Sequence, residues 1–492
     1  MKFENIELSH FKIHNAVLML MCIMTLCSRQ GLAQQLLWHR VFDTGVEDYG
    51  KGVTSDSSGN IIITGNSALL TSDGNCLTIK YNSSGDTIWT HWYNINVNDV
   101  VVDRFDNIIL VGDMWNDSTN ADIRVIKCDP DGNILWIQTY TNGEKDVGEF
   151  GYGAAVDSED NIIVAGAGFY NWGDYITIKY DSGGNLQWFR TYNGGWEDYC
   201  NDVAVDDSGN VIVTGFTMGD MDWDWCTIKY NAVGDTLWVR KYNVGLSDNA
   251  YGIECDRDGN IIVVGELGQS AENYAAFVKY SPTGDTLWTK IFVRPVPLDG
   301  LMNFVNVTSD EYGNIYAAGV YVVWDSGRGW SDYFITKHNP NGDTIWTFRY
   351  DYAHVDEVIG LALDKYGDIC VTGTTNRSPN VYEQNYLTIK VKNITNHIYE
   401  EFSFPPKITL YPNYPNPFNP STTIEFTLPT ANHVMLKVYN FLGQELETLV
   451  DDRMVAGRNY VRWDASQYAG GVYFARLTAG DYITYQKLML IK

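Results

Sequence analysis

The stretch GDMDWDW, Gly219–Trp225, sets Asp220, Asp222 and Asp224 two residues apart and interleaves them with Trp223 and Trp225. On an extended strand, alternate residues share one side. The three carboxylates could therefore hold a cation together. Tryptophan beside aspartate suits a second chemistry. The indole stacks on the apolar face of a sugar ring or anchors a protein partner, while the carboxylate takes hydroxyls or amides. Trp115, Trp172, Trp196, Trp324 and Trp330 stand in similar surroundings, in GDMWNDSTNAD, GFYNWGDY, NGGWEDY and GVYVVWDSGRGWSDY. These ten residues are the candidate ligand-binding positions. The competing reading for each is that it turns inward and packs on neighbouring loops.

Little else in the chain nominates chemistry. G-x-S-x-G, H-E-x-x-H, a P-loop and a G-x-G-x-x-G following a strand are all missing. His39, His91, His338, His354, His397 and His433 are scattered. DPDGN at Asp129–Asn133 has no glutamate at the twelfth position of a calcium loop. No catalytic residue, metal or cofactor is assigned. Paired carboxylates for glycoside cleavage could still lie among the same loops, so a surface glycan hydrolase or lyase is the alternative to a binding protein.

The elements that must position these residues repeat seven times. A phrase of the type DSSGNIIITG opens with Asp56, Asp103, Asp157, Asp206, Asp256, Asp310 or Asp364, and ends nine residues later on Gly65, Gly112, Gly166, Gly215, Gly265, Gly319 or Gly373. A second phrase, of the type TIKYNAVGDTLW, carries Lys80, Lys127, Lys179, Lys229, Lys279, Lys337 or Lys390. Nine residues after the first six of these stands Trp89, Trp136, Trp188, Trp238, Trp288 or Trp346. Those spacings never change. The interval from Gly to Lys varies, from Gly166–Lys179 to Gly319–Lys337, and so does that from Trp to the next Asp, from Trp89–Asp103 to Trp288–Asp310.

Each copy reads as four short strands, a to d. Asp-x-x-Gly-Asn and Gly-Asp turns close the a–b and c–d connections. Strand b is apolar throughout, which means burial on both faces. Four-stranded sheets covered on both sides by their neighbours, with a period of about 50 residues, describe a β-propeller. In an up-and-down blade every variable connection falls on one end, so that end is the candidate recognition face and the other is scaffold. Seven equal copies of Asp and Lys point to structure, because an active site needs one place to differ. The seventh copy has Tyr399 where its Trp should stand, while LLWHRVF with Trp38 begins the first repeat without a partner. The sequence thus predicts seven blades, the last completed by the N-terminal strand.

Composition sets the wider limits. Against 34 Lys and Arg stand 61 Asp and Glu, a formal charge of -27, which argues against nucleic acid or an anionic membrane as partner. Residues 1–33 read as a cleaved export signal, with an apolar run Ala16–Cys27 too short to span a bilayer and small Gly31 and Ala33 at its end. No transmembrane segment is expected after its removal. Cys22 and Cys27 leave with it. Cys76, Cys128, Cys200, Cys226, Cys255 and Cys370 lack paired spacing and read as small buried apolar residues, with one or two disulfides left open.

VDSEDNIIVAG and ITIKYDSGGNLQW resemble the bacterial seven-bladed β-propeller repeat family, over residues 36–392. The prolines that follow suit a stiff linker at 393–408. Residues 409–492 alternate strands and glycine turns in the manner of a small Ig-like β-sandwich. Their YPNPFNP segment at Tyr414–Pro420, YNFLGQ turn, Trp463–Asp464 pair, GGVYF strand and terminal Lys resemble the type A sorting domain of the type IX secretion system. That resemblance implies the type IX secretion machinery as partner, passage through the periplasm, and a secreted or outer-surface destination. An ordinary carbohydrate-binding or adhesion sandwich is the alternative. The expected protein is all-β: a surface propeller that binds a glycan or a surface protein through its variable loops.

Overall fold

The computed structural model describes residues 35–492, apart from 72–73, 117–119, 142–147, 169–172, 220–221, 244–246, 270–271, 293–301, 326–327, 354, 377–383, 394–407, 412, 414–415, 429–431, 455–456 and 481. The expected export signal, most of the expected linker, Trp172 and Asp220 lie outside the described residues. The chain divides into two compact units, Met1–Tyr399 and Glu400–Lys492. Every regular element among the described residues is a β-strand. None of them forms a helix long and apolar enough to cross a membrane.

The first unit holds five antiparallel four-stranded sheets, over 48–93, 96–140, 149–192, 198–242 and 249–292, and a sixth four-stranded antiparallel group over 302–350 that one parallel pair, Ser331 with Val355, links to the group after it. A seventh joins Val355–Leu363, Ile369–Asn376 and Gln384–Val391 to the N-terminal strand Leu36–Phe42, with Trp38 opposite Lys390. These are blades 1 to 7. The innermost strand of each blade touches that of the next, and Asp48–Ser55 of blade 1 touches Val355–Leu363 of blade 7. A Cβ placed on Gly50 would stand 2.3 Å from Gly373 O. The ring therefore closes on itself, and the N-terminal strand covers the outer edge that blade 7 would otherwise expose.

The repeated phrases are blade joints. Asp56 Oδ1 accepts the backbone N–H groups of Ser58 at 3.0 Å and Asn60 at 2.8 Å, which shapes the a–b turn. Its Oδ2 accepts Asn60 Nδ2 and pairs with Lys80 Nζ at 2.9 Å. Lys80 also donates to Pro130 O in the c–d turn of blade 2, as does Trp89 Nε1. The same convergence recurs at Ser182 O, Ala232 O and Pro282 O. Trp38, Trp188 and Trp346 are buried, while Trp89, Trp136, Trp238 and Trp288 are half-buried plates between blades. Arg40, Arg190 and Arg240 lie over Trp38, Trp188 and Trp238 and donate to the next blade's turn glycine.

Strand b is buried along its length, as Ile61, Ile62, Ile162, Ile163, Val211 and Ile212 show. The glycine closing its phrase is required by close approach: a Cβ on Gly215 would meet Tyr199 O at 1.8 Å. Opposite that glycine every strand a carries a bulge. The extra residues are Lys51, Asn98, Tyr152, Asn201, Tyr251, Val305 and Ile359, all near the ring axis. All six cysteines among the described residues are free thiols.

The second unit is a two-sheet sandwich. One sheet holds Thr409–Leu410, Ser421–Leu428 and Gly457–Asp464, and the other Glu445–Met454, Asn432–Asn440, Gly471–Ala479 and Tyr482–Leu490. Trp463, Phe426, Leu436 and Leu477 share its core. The Asn-Pro-Phe-Asn-Pro segment is pinned to the last strand: Phe418 N donates to Met489 O, Ile491 N to Phe418 O, and Asn416 Oδ1 accepts Met489 N.

Candidate ligand-binding face

Antiparallel pairing throughout each blade puts the Asp-x-x-Gly-Asn and Gly-Asp turns at one end and every connection of variable length at the other. The variable end carries the candidate residues, on several blades. Trp115 ends strand Ile108–Asn116 of blade 2 and is 66% exposed. Trp324 and Trp330 belong to the tall hairpin of blade 6, Ile315–Asp325 with Arg328–His338, where Trp330 is half-buried.

The structure does gather one group, at the crown of blade 4. Trp196, 66% exposed, lies in the connection entering this blade, and its backbone N–H donates to Met218 O at 3.0 Å. Trp223, opposite Met218 in the sheet, packs edge-on against Phe216 at 4.8 Å, and Phe216 stacks on Tyr199 at 5.0 Å. Asp222 and Asp224 are bridged by Asn243 Nδ2. Burial, against the Asn243 hydrogen bond and with the nearby Asp222 charge, raises the Asp224 carboxyl above the ordinary carboxylate range. These two acids are engaged with an amide donor. Trp225 corrects the sequence expectation. It shares a side of the strand with Trp223 but sits two residues deeper, where it is 1% exposed and donates Nε1–H to Glu266 O of the next blade at 2.9 Å. It is a core residue.

Two features of this end escaped sequence reasoning. The first is a set of fully buried aspartates, Asp48, Asp198, Asp248 and Asp356, with Glu149 in the same place in blade 3. Three of them cap the loop entering their blade: Asp48 accepts Thr44 N, Asp198 accepts Gly194 N and Asp356 accepts Tyr352 N, each at 2.7 Å. The signal was present, since an acid stands eight residues before the phrase Asp in five copies, replaced by Ile95 and Met302 in the others.

The second feature is the axis itself. Asp99 Oδ2 accepts Ala154 N and Asp202 Oδ2 accepts Ile253 N, so each ties two blades together. Both side chains are half-buried. Burial pushes Asp99 up to about 7, against the pull of its backbone donors. Asp202 is raised well above its usual range by burial and then by Asp99. Burial likewise lifts Glu254 to about 7 and Asp113 to about 6. Between blades 5, 6 and 7 the variable end opens into a cavity of about 450 Å³, lined in part by Glu266 and Glu357. Asp332, Asp351 and Asp356 also approach within 4.8 Å of one another. Arg349 pairs with Asp332, and Asp356 is spent on loop capping.

Fold and sites together define a seven-bladed β-propeller carried on a secretion module. Residues 413–492 match the family described as the secretion system C-terminal sorting domain. The chain is accordingly exported by type IX secretion, to the cell surface or the medium. A search of curated protein sequences returned no match. Among solved structures, PorZ of Porphyromonas gingivalis, described as an essential surface component of the type-IX secretion system, is similar at TM-score 0.41 and 11% identity, over 89% of this chain and 59% of PorZ. This chain therefore spans less than two thirds of PorZ. A Bacteroides caccae protein of unknown function is similar at 0.38 and 12%, over 62% of this chain and 94% of that one. The propeller domain of the Trilobed protease of Pyrococcus furiosus is similar at 0.42 and 10%, over 71% and 99%. These likenesses assign no residue of the face a role.

Proposed function

We propose that this surface propeller is a binding protein, and that the crown of blade 4 is a platform for glycans. The observation that carries the reading is Trp196: a large aromatic side chain mostly open to solvent, on a backbone held by Met218 O and by the buried cap Asp198. A fixed aromatic plane offers stacking area at small entropic cost. Asp222, Asp224 and Asn243 beside Trp223 supply acceptors and donors for hydroxyl groups. Trp115 and Trp330 stand on other blades, where they could contact the ends of a long chain.

A glycan array probed with the full chain tests this. Saturable binding to a glycan class, lost in Trp196→Ala while the unfolding curve stays in place, is the expected result. Binding that survives Trp196→Ala removes the platform. Turnover of a bound glycan, abolished by one carboxylate substitution at this end, replaces binding by catalysis.

A further inference from the structure

The axial cavity is where the sevenfold pattern breaks. In blades 2 and 4 the bulge residues Asn98 and Asn201 reach the next blade and donate to Gly151 O at 2.8 Å and Ala250 O at 2.7 Å. Blades 3 and 5 place Tyr152 and Tyr251 there, and the Tyr251 hydroxyl donates to Glu266 Oε1 at 2.8 Å. Blades 6 and 7 have Val305 and Ile359 instead. Short aliphatic side chains neither bridge the blades nor fill the space, and the cavity is what remains. Its other aliphatic walls include Val320 and Val322, on the hairpin of blade 6 that is eleven residues long on each side.

We propose that this cavity binds an alkylammonium group: a primary amine at the end of an aliphatic chain. Its volume falls within the roughly 300–1,000 Å³ of small-molecule sites, and its apolar walls with few polar groups match their usual make-up. The polar groups select the charge. Glu266 and Glu357 line the cavity, and no Lys or Arg does among the described residues. Glu266 is oriented by two donors on Oε1, Asn249 Nδ2 at 3.0 Å and Tyr251 OH. Glu357 is exposed, with no hydrogen bond or ion pair to its carboxylate among the described residues. Lys51 of blade 1 feels the charges of both Glu357 and Asp113. An ammonium entering over the aliphatic walls meets Glu266, half-buried and held by its two donors, and the open carboxylate of Glu357. The site is separate from the blade 4 platform and does not depend on it.

Isothermal titration of the full chain with n-hexylamine, n-hexanol and Nα-acetyl-lysine amide tests the assignment. Hexylamine is expected to bind saturably, about tenfold or more tighter than hexanol, and Glu357→Gln to remove most of that preference. Binding of the lysine amide as well identifies a lysyl side chain as ligand, whereas binding of hexylamine alone identifies a free amine. Val305→Tyr introduces the residue that two sister blades carry at this bulge, and is expected to abolish binding while the unfolding curve is kept; if it unfolds the protein, Ile359→Phe fills the same space. Trp196→Ala should leave amine binding intact, which separates this site from the glycan platform. Equal affinity for amine and alcohol, or amine binding that persists in the filled variant, overturns the proposal.

Discussion

Trp38 and Lys390, from the two ends of the propeller, donate to a single carbonyl: Trp38 Nε1 lies 3.1 Å and Lys390 Nζ 3.4 Å from Ser83 O. In other blades the Trp and Lys that meet in this way come from one continuous phrase. Here the N-terminal strand supplies the Trp and blade 7 the Lys, and both grip blade 1. Three segments distant in sequence must assemble before this joint exists.

Removing residues 36–43 should therefore cost far more than an ordinary end truncation. It strips blade 7 of its outer strand and exposes a ladder edge. Trp38→Ala alone should cost about 3–5 kcal/mol. Thermal unfolding and light scattering check both; an unchanged melting curve for the deletion contradicts ring closure.

The Lys229–Asp206 pair, 2.8 Å apart with both side chains nearly enclosed, should behave as a unit. Lys229→Met leaves a buried carboxylate without its cation and should destabilise by about 3–5 kcal/mol. Lys290→Met breaks the exposed pair with Asp343 and should change stability by less than about 1 kcal/mol. Urea unfolding of the two variants measures the contrast.

Stability should pass through a maximum at mildly acidic pH. Asp99 and Glu254, both raised to about 7 by burial, keep their protons in the folded state after the unfolded chain has released its own. The folded state then binds more protons, so stability falls as pH rises from about 4 to about 7. Asp56, Asp103, Asp157, Asp206 and Asp256 act in the opposite sense. Burial alone would raise them, but hydrogen bonds from lysine and asparagine outweigh it and hold them below the ordinary range. Their contribution is lost as pH drops below about 4. Asp99→Asn should flatten the slope between pH 4 and 7 in a series of chemical unfolding curves. An undiminished slope in that variant would exclude Asp99 as its source.

Asp198→Ala should separate platform order from fold stability. It frees the Gly194 and Gly195 N–H groups and costs about 1–3 kcal/mol, while the blade stays folded. Glycan affinity should fall along with the order of the Trp196 loop. Trp225→Ala, by contrast, should cost about 3–5 kcal/mol, because that side chain is core. Matched melting and binding curves distinguish the two outcomes.

Much of the fold is legible in the residues because a blade joint is local. Asp56 and Asn60 shape their own turn, and strand b declares its burial by an unbroken apolar run. The site is less legible. Trp225 and Trp223 look alike in GDMDWDW and share one side of their strand, and only their depth against the next blade buries one and leaves the other at the crown. The capping acids keep a constant spacing of their own, but it resembles loop polarity until the loop N–H groups are seen to point at them. The bulges leave no mark, since Lys, Asn, Tyr, Val and Ile all occupy them.

The sequence by itself determined the strands, the turns, the number of blades, the strand borrowed from the N-terminus and the secretion module, because these follow from contacts and spacings repeated within short stretches of chain. Only the tertiary structure decided what meets at the axis. There each blade contributes one bulged residue, the neighbours come from different repeats, and whether the space between them is bridged by Asn201 or left open beside Val305 depends on side-chain length across a gap that no single repeat contains.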